Sequence, residues 1–260
     1  MQEEKRIIEL FKSGTKILYH GETRTVIFCD KPLYHGGEGK TDIYILLDDN
    51  TEIKISVKQS NADFLQNKIT KKWYDTYIRD YSILQNAINE LKPYFLKRQV
   101  FYPEQVRNIK KNSYTMGFRF DIINKACGEL CAKLKLTEAQ KEEILYGTNL
   151  PQEKRTVKVK DKLIKDCGVA NCLLLNSENK MTAQEVIDNL SFAADYKEEM
   201  YATFRAVNYR MDEDKIDGNR ALAVYIKWHN LTDYEMIFDA PLKYGAEKDI
   251  LAHFKEVNNL

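Results

Sequence analysis

Residues 3 to 12 place Ile7, Ile8 and Phe11 on one helical face behind Glu3, Glu4, Lys5 and Arg6. Ser13-Gly14 stops the pattern, so the chain opens with an amphipathic helix. The period then falls to two. Lys16 to His20 and Thr23 to Cys29 flank Gly21-Glu22 as a first hairpin, and Pro32 with Gly36-Gly37 breaks the chain before the next strand. Ile43 to Leu47 and Ile53 to Val57 alternate with polar residues around Asp48-Asp49-Asn50, which predicts a second hairpin. From Ala62 the period lengthens. Tyr77, Tyr81, Leu84, Ile88 and Leu91 recur at helical spacing, as in a long helix ending before Pro93. Helices are expected to dominate from there: Tyr114 to Leu134 is apolar enough to be buried, Thr137 with Gln140 makes a capping box for a helix ended by Gly147, and Thr182 with Glu185 makes another. Strand character returns at Tyr201 to Tyr209 and Arg220 to Trp228, a third expected hairpin around the acidic Met211 to Asn219. Ala246 to Val257 closes the chain as a packing helix.

The second hairpin is the most informative segment. If Ile43, Ile45, Leu47 and Ile53, Ile55, Val57 share one buried face, paired residue numbers sum to an even number. A three-residue connection from Asp48 to Asn50 sets Leu47 opposite Thr51, sum 98, with Asn50 suited to the left-handed conformation such a turn wants. Asp42 then faces Ser56, and Asp42, Ser56 and Lys58 cluster on the other face, directly opposed side chains lying ~5 Å apart and diagonal ones ~7–8 Å. The bland reading of that cluster is a solvated hairpin face. The chemical reading is a carboxylate that holds Mg²⁺ with the Val57 backbone carbonyl, beside an ammonium that orients water or offsets charge at a phosphate.

Length and composition bound the rest. The 260 residues make one large or two small domains, 43% hydrophobic and 30% charged, with a net charge of +1 that excludes a globally basic nucleic-acid coat. No apolar run approaches a membrane span, and the acidic start is unlike a signal peptide, so a cytoplasmic location and no membrane partner are expected. Five cysteines, an odd number, point to reduced thiols; Cys127/Cys131 and Cys167/Cys172 fit the spacing of zinc knuckles poorly. The four histidines are scattered. Gly39-Lys40-Thr41 is not a phosphate loop, because position 34 is Tyr34 and a strand follows, so no nucleotide cofactor is expected.

The run Gly36-Gly37-Glu38-Gly39-Lys40-Thr41-Asp42, followed by Lys54-Ile55-Ser56-Val57-Lys58-Gln59, resembles the restriction-endonuclease-like PD-(D/E)xK superfamily. The likeness is to divergent members in which Ser replaces the second acid, and it covers residues 36 to 64, with a looser echo in 201 to 228. It implies an α/β fold, a mixed central β-sheet flanked by helices (a restriction-endonuclease-like core) with a helical insertion at 79–200. The whole chain, 1–260, would be a single nuclease domain, with 201–228 as a DNA-contacting hairpin. It further implies Mg²⁺-dependent hydrolysis of double-stranded DNA by a sequence-specific type II-like enzyme, active as a homodimer. Asp42, Ser56 and Lys58 would be catalytic, and Asp42, the Val57 carbonyl and either Glu38 or Glu9 would bind the metal. The literal string Glu52-Ile53-Lys54 matches the motif better, but in the sum-98 register Glu52 faces Leu46, ~13 Å from Asp42 along the strand.

Between Asn61 and Lys111 ten basic residues oppose five acidic ones, with Lys68, Lys71, Lys72 and Trp73 just downstream of the cluster. Lys40, Gln59, Asn61 and Lys72, and Arg210, Asn219, Arg220 and Lys227 of the late hairpin, are the expected DNA contacts, Arg and Asn being the residue types that read base edges. The alternatives are a non-catalytic DNA- or protein-binding module that keeps the nuclease-like sheet, and a structure-specific phage or repair nuclease.

Overall fold

The computed structural model describes residues 2–34, 39–58, 64–66, 69–175, 180–192, 199–218, 221–239, 241–242 and 247–260. It is a mixed α/β protein whose chain forms two interleaved units, Met1–Leu65 with Thr137–Glu198, and Gln66–Leu136 with Glu199–Leu260. The first run contains α1 (Gln2–Leu10), β1 (Lys16–Tyr19), β2 (Glu22–Asp30), β3 (Pro32–Leu33), β4 (Ile43–Leu47) and β5 (Glu52–Lys58). The next contains β6 (Phe64–Gln66), α2 (Lys71–Tyr77), α3 (Tyr81–Phe95), β7 (Phe101–Tyr102), β8 (Ser113–Ile123) and β9 (Cys131–Lys133). The chain returns to the first unit with α4 (Glu138–Tyr146), α5 (Gln152–Arg155), β10 (Val157–Val159), β11 (Lys162–Ile164), β12 (Cys172–Leu175), α6 (Ala183–Asp188) and β13 (Leu190–Phe192). It ends in the second with β14 (Tyr201–Arg210), β15 (Lys215–Ile216), β16 (Val224–Trp228), β17 (Tyr234–Ile237) and α7 (Glu247–Val257).

The first unit is built on a sheet of order β1-β2-β4-β5-β12-β13. Its first hairpin turns through His20 and Gly21 at φ 50° and 82°, a pair of left-handed residues whose twist matches the flanking strands. The second hairpin adopts the register read from its alternation, with Ile43 opposite Ile55, Ile45 opposite Ile53 and Leu46 opposite Glu52, and Asn50 left-handed at φ 67°. β12 then adds in parallel on the other side of β5, which makes β5 an interior strand of a mixed sheet. One face buries Ile43, Ile45, Leu47, Ile53 and Ile55 with Ile7 and Phe11 of α1 and Val186 and Ile187 of α6.

The other face is not solvated. Tyr44, Phe28 and Leu46 pack against Val157, Val159, Cys167 and Ile164, which belong to or adjoin a small sheet of order β11-β10-β3. A hairpin two strands wide would show that face to water; an interior strand beneath a second layer cannot.

Asn171 joins β12 to the middle of this arrangement. Its side-chain oxygen accepts from the Lys54 amide (2.7 Å) and its amide nitrogen donates to the Glu52 carbonyl (2.8 Å), so the side chain acts as one more rung of the ladder before β12 begins. Both capping boxes form, on Thr137/Gln140 and Thr182/Glu185, and Gly147 ends α4 in the left-handed conformation.

The second unit departs from the expected pattern. Its sheet runs β15-β14-β8-β16-β17, with β7 also on β8 and β9 on β14. Tyr114 to Leu134 is therefore strand rather than helix for most of its length, and the expected helical insertion at 79–200 holds β7–β13 as well as α3–α6. β8 is buried at ten of its eleven positions, and a strand buried on both faces reads as a continuous apolar run with no period. Because β8 needs a neighbour on each side, it lies between β14 and β16, and the expected 201–228 hairpin does not form. The helix expected from Ala62 is broken where Arg79 turns left-handed (φ 63°) and Asp80 caps α3 by accepting from the Ser82 amide. α3 also runs through Pro93 to Phe95. Pro93 lies in the last turn, where one lost hydrogen bond is tolerated, and buried Phe95 packs edge-on against Phe118 and Phe204. No helix among the described residues is long and apolar enough to cross a membrane.

Asn171→Ala removes both side-chain bonds and leaves the Lys54 amide and Glu52 carbonyl without them. It is expected to destabilise the protein by about 1–3 kcal/mol, seen as a lower urea midpoint at unchanged slope; an unchanged midpoint would contradict the assigned role.

Candidate active site

The β4–β5 ladder ends in an unusual way at Asp42. Its amide donates to the Ile55 carbonyl (2.8 Å), and its carboxylate Oδ2 accepts from the Val57 amide (2.8 Å). In the sum-98 register the backbone partner of Val57 would be Thr41, but the Thr41 carbonyl accepts from the Tyr34 hydroxyl instead (2.7 Å). The Tyr34 ring occupies the space beside Gly39, where a Cβ would fall 2.4 Å from a ring carbon. Gly39 thus admits Tyr34, whose hydroxyl donates to the Thr41 carbonyl, while the Val57 amide donates to the Asp42 carboxylate.

Asp42 and Lys58 act on each other's charge, as diagonal neighbours in this register would. Burial pushes the Asp42 carboxyl above its ordinary range, opposed by the charge of Lys58 and by the Val57 amide; Glu4 pushes it further up and Lys31 pulls it back. Burial pushes the Lys58 ammonium below its ordinary value, and Asp42 opposes that shift. The Lys58 side chain as a whole is only partly buried. Ser56, across from Asp42, is 1% exposed.

The acid that acts on this site from α1 is Glu4, which pairs with Lys31, whereas the expected Glu9 is exposed. Helical spacing explains why. Glu4, Ile7 and Phe11 form an i, i+3, i+7 stripe whose last two members are core, so Glu4 points inward and Glu9 does not. A carboxylate on an apolar stripe was the signal in the sequence. Glu38, the other expected ligand, lies outside the described residues, as do Gln59, Asn61, Asn219 and Arg220.

The literal Glu52-x-Lys54 string serves a different network. Glu52 accepts from the Tyr44 hydroxyl (2.7 Å) and lies 3.7 Å from the Lys54 ammonium, which also donates to the Asp166 carbonyl (3.3 Å). This network ties β4 and β5 to the segment before β12.

The remaining expected DNA contacts fare unevenly. Lys40 is 8% exposed, and its stem packs against Gly147, so it is not displayed to a phosphate. Lys72 on α2 and Lys227 on β16 are exposed, whereas Lys71 pairs with Asp75. Arg210 is held by Asp217 (2.7 Å) and Glu213 (2.7 Å). Arg205, another residue of the expected hairpin of a type that reads base edges, lies directly across from Arg119 on β8, and both meet buried Asp121, at 3.7 and 2.8 Å. Like charges opposed across strands repel, and the shared carboxylate offsets that repulsion. The apolar run around β8 concealed this cluster.

A scan against protein-family models, a search of curated proteins and a search of solved structures each return no match.

The opposed shifts at Asp42 and Lys58 carry a sign that can be measured. The folded protein holds the Asp42 proton more tightly than the unfolded chain does, so this group's contribution to stability is full in acid and is lost as pH rises from about 3.9 through the raised value. Urea unfolding of the parent and of Asp42→Asn from acid to neutral pH is therefore expected to show the parent losing stability relative to the variant as pH rises. A difference that stays flat or grows in the parent's favour would contradict the assigned shift.

Proposed function

We propose that the chain is a Mg²⁺-dependent endonuclease that hydrolyses DNA phosphodiester bonds on a restriction-endonuclease-like core, acting at specific sequences in the manner of type II enzymes. The observation that carries the reading is the coupled Asp42/Lys58 pair at the end of two paired strands in a mixed, helix-flanked sheet. It joins the Gly36-to-Gln59 resemblance to a geometry with suitable chemistry.

The donor set suits a hard cation. Asp42 Oδ2 takes the Val57 amide, and no protein donor engages Oδ1 among the described residues, which leaves one carboxylate oxygen for a metal. Asp42, Glu4 and the Val57 carbonyl would hold Mg²⁺, an ion that binds through one or two carboxylates and keeps several waters. Bound there, the metal would supply positive charge at the scissile phosphate. Lys58, its ammonium made more acidic by burial, would orient the attacking water and offset phosphate charge. Ser56 adds no negative charge, and its hydroxyl would serve as a neutral hydrogen-bonding neighbour.

A non-catalytic DNA-binding module remains as a second reading, favoured by one observation: uncharged, buried Ser56 stands where a second acid would complete the motif.

The test is cleavage of mixed plasmid and phage DNA with Mg²⁺. Asp42→Asn and Lys58→Met are each expected to lower the rate by about 10²–10⁴-fold, and Glu4→Gln by less. Mg²⁺ is also expected to raise the unfolding temperature of the parent but not of Asp42→Asn. Cleavage unchanged in both variants would overturn the catalytic assignment; salt-sensitive DNA binding without cleavage would favour the module.

A further inference from the structure

Two of the five cysteines lie side by side in the second unit, apart from any residue used above. Cys131 opens β9 and is half-buried, with Thr203 of β14 directly across from it. Cys127 is exposed four residues earlier. Two of the three residues between them are held. Gly128 turns the chain at φ 70° in open space, Glu129 pairs with Arg98 (2.9 Å), and buried Leu130 accepts from the Phe204 amide (2.8 Å). The turn returns Cys127 onto its partner: its amide donates to Cys131 Sγ (3.4 Å), and its thiol reaches the Thr203 hydroxyl (3.9 Å), the side chain opposite Cys131.

We propose that Cys127 and Cys131 form a dithiol that reacts with small-molecule disulfides and closes to an intramolecular disulfide. The exposed Cys127 is the group an incoming reagent meets. Its thiolate attacks one sulfur of oxidised glutathione, forming a mixed disulfide and releasing one glutathione thiolate, which takes up the proton that Cys127 lost. The Cys131 thiolate then attacks Cys127 Sγ, the mixed disulfide breaks, and a second glutathione leaves. The protein loses two protons and two electrons, and one glutathione disulfide takes them up to become two thiols. Burial raises the Cys131 thiol, which suits the resolving role, since the attacking position at Cys127 is then the first to react. Cys29, Cys167 and Cys172 are core residues whose thiols burial pushes up to about 12, so they stand outside the exchange.

The whole, reduced protein is incubated with oxidised glutathione under native conditions, then unfolded, alkylated and digested with trypsin. Both cysteines fall in one peptide, Ala126–Lys133. That peptide is expected unalkylated and lighter by two hydrogens, with the other three cysteines alkylated. Cys131→Ser is expected to stop at a glutathione adduct on Cys127, and Cys127→Ser to leave Cys131 unmodified. A stable glutathione adduct on Cys127 of the parent, or no reaction there, would overturn the proposal. The result is independent of whether the protein cuts DNA.

Discussion

The Val57 amide must find an acceptor inside the first unit, and the acceptor it finds is the Asp42 carboxylate. The constraint comes from strand pairing. Buried amides are nearly always satisfied, and regular pairing would have used Thr41, whose carbonyl is taken by Tyr34. Gly39 gives the Tyr34 ring its room. The position of one carboxylate therefore rests on a hydroxyl, a glycine and the point where a ladder stops, none of which bears charge. With Asp42 fixed in this way, Lys58 follows from the pleat, because Ser56 and Lys58 share the face toward which Asp42 turns.

The electrostatics of the pair run against stability. Burial disfavours the charged form of both groups, and their mutual attraction only partly offsets it. Buried pairs of this kind are weak contributors to folding, and perturbed titration in a built constellation is more characteristic of a working site. Glu4 and Lys31 pair with one another, and the charges of both act on Asp42 along with that of Lys58. The Tyr44–Glu52–Lys54 network nearby looks similar as a string of letters yet does structural work, bonding the hairpin to the approach of β12.

How much of this was legible differs between the two units. In β4 and β5 alternation and a short turn favour one register over the alternative that would have put Glu52 and Lys54 forward, so Asp42, Ser56 and Lys58 could be placed from the letters. Glu4 was missed although its spacing from Ile7 and Phe11 marked it, because a charged residue ahead of a helix reads first as a solvated lead. The second unit was opaque for a physical reason. β8 is buried on both faces, its side chains carry no period, and a run such as Tyr114 to Ile123 has the apolar density of a buried helix. Missing that strand also mispaired β14 with β16, since each meets β8 and neither meets the other. Nor does local sequence reveal that Asn171, more than a hundred residues after β5, supplies the bonds that seat β12 beside it.

The most direct test of the account is to locate a divalent ion on the protein. Mn²⁺ titrated into the labelled protein broadens nearby amide resonances, and the account predicts that Val57 and Lys58 broaden first, with the effect lost in Asp42→Asn. Broadening confined to another acidic stretch, such as Asp212-Glu213-Asp214, with Val57 untouched, would contradict it.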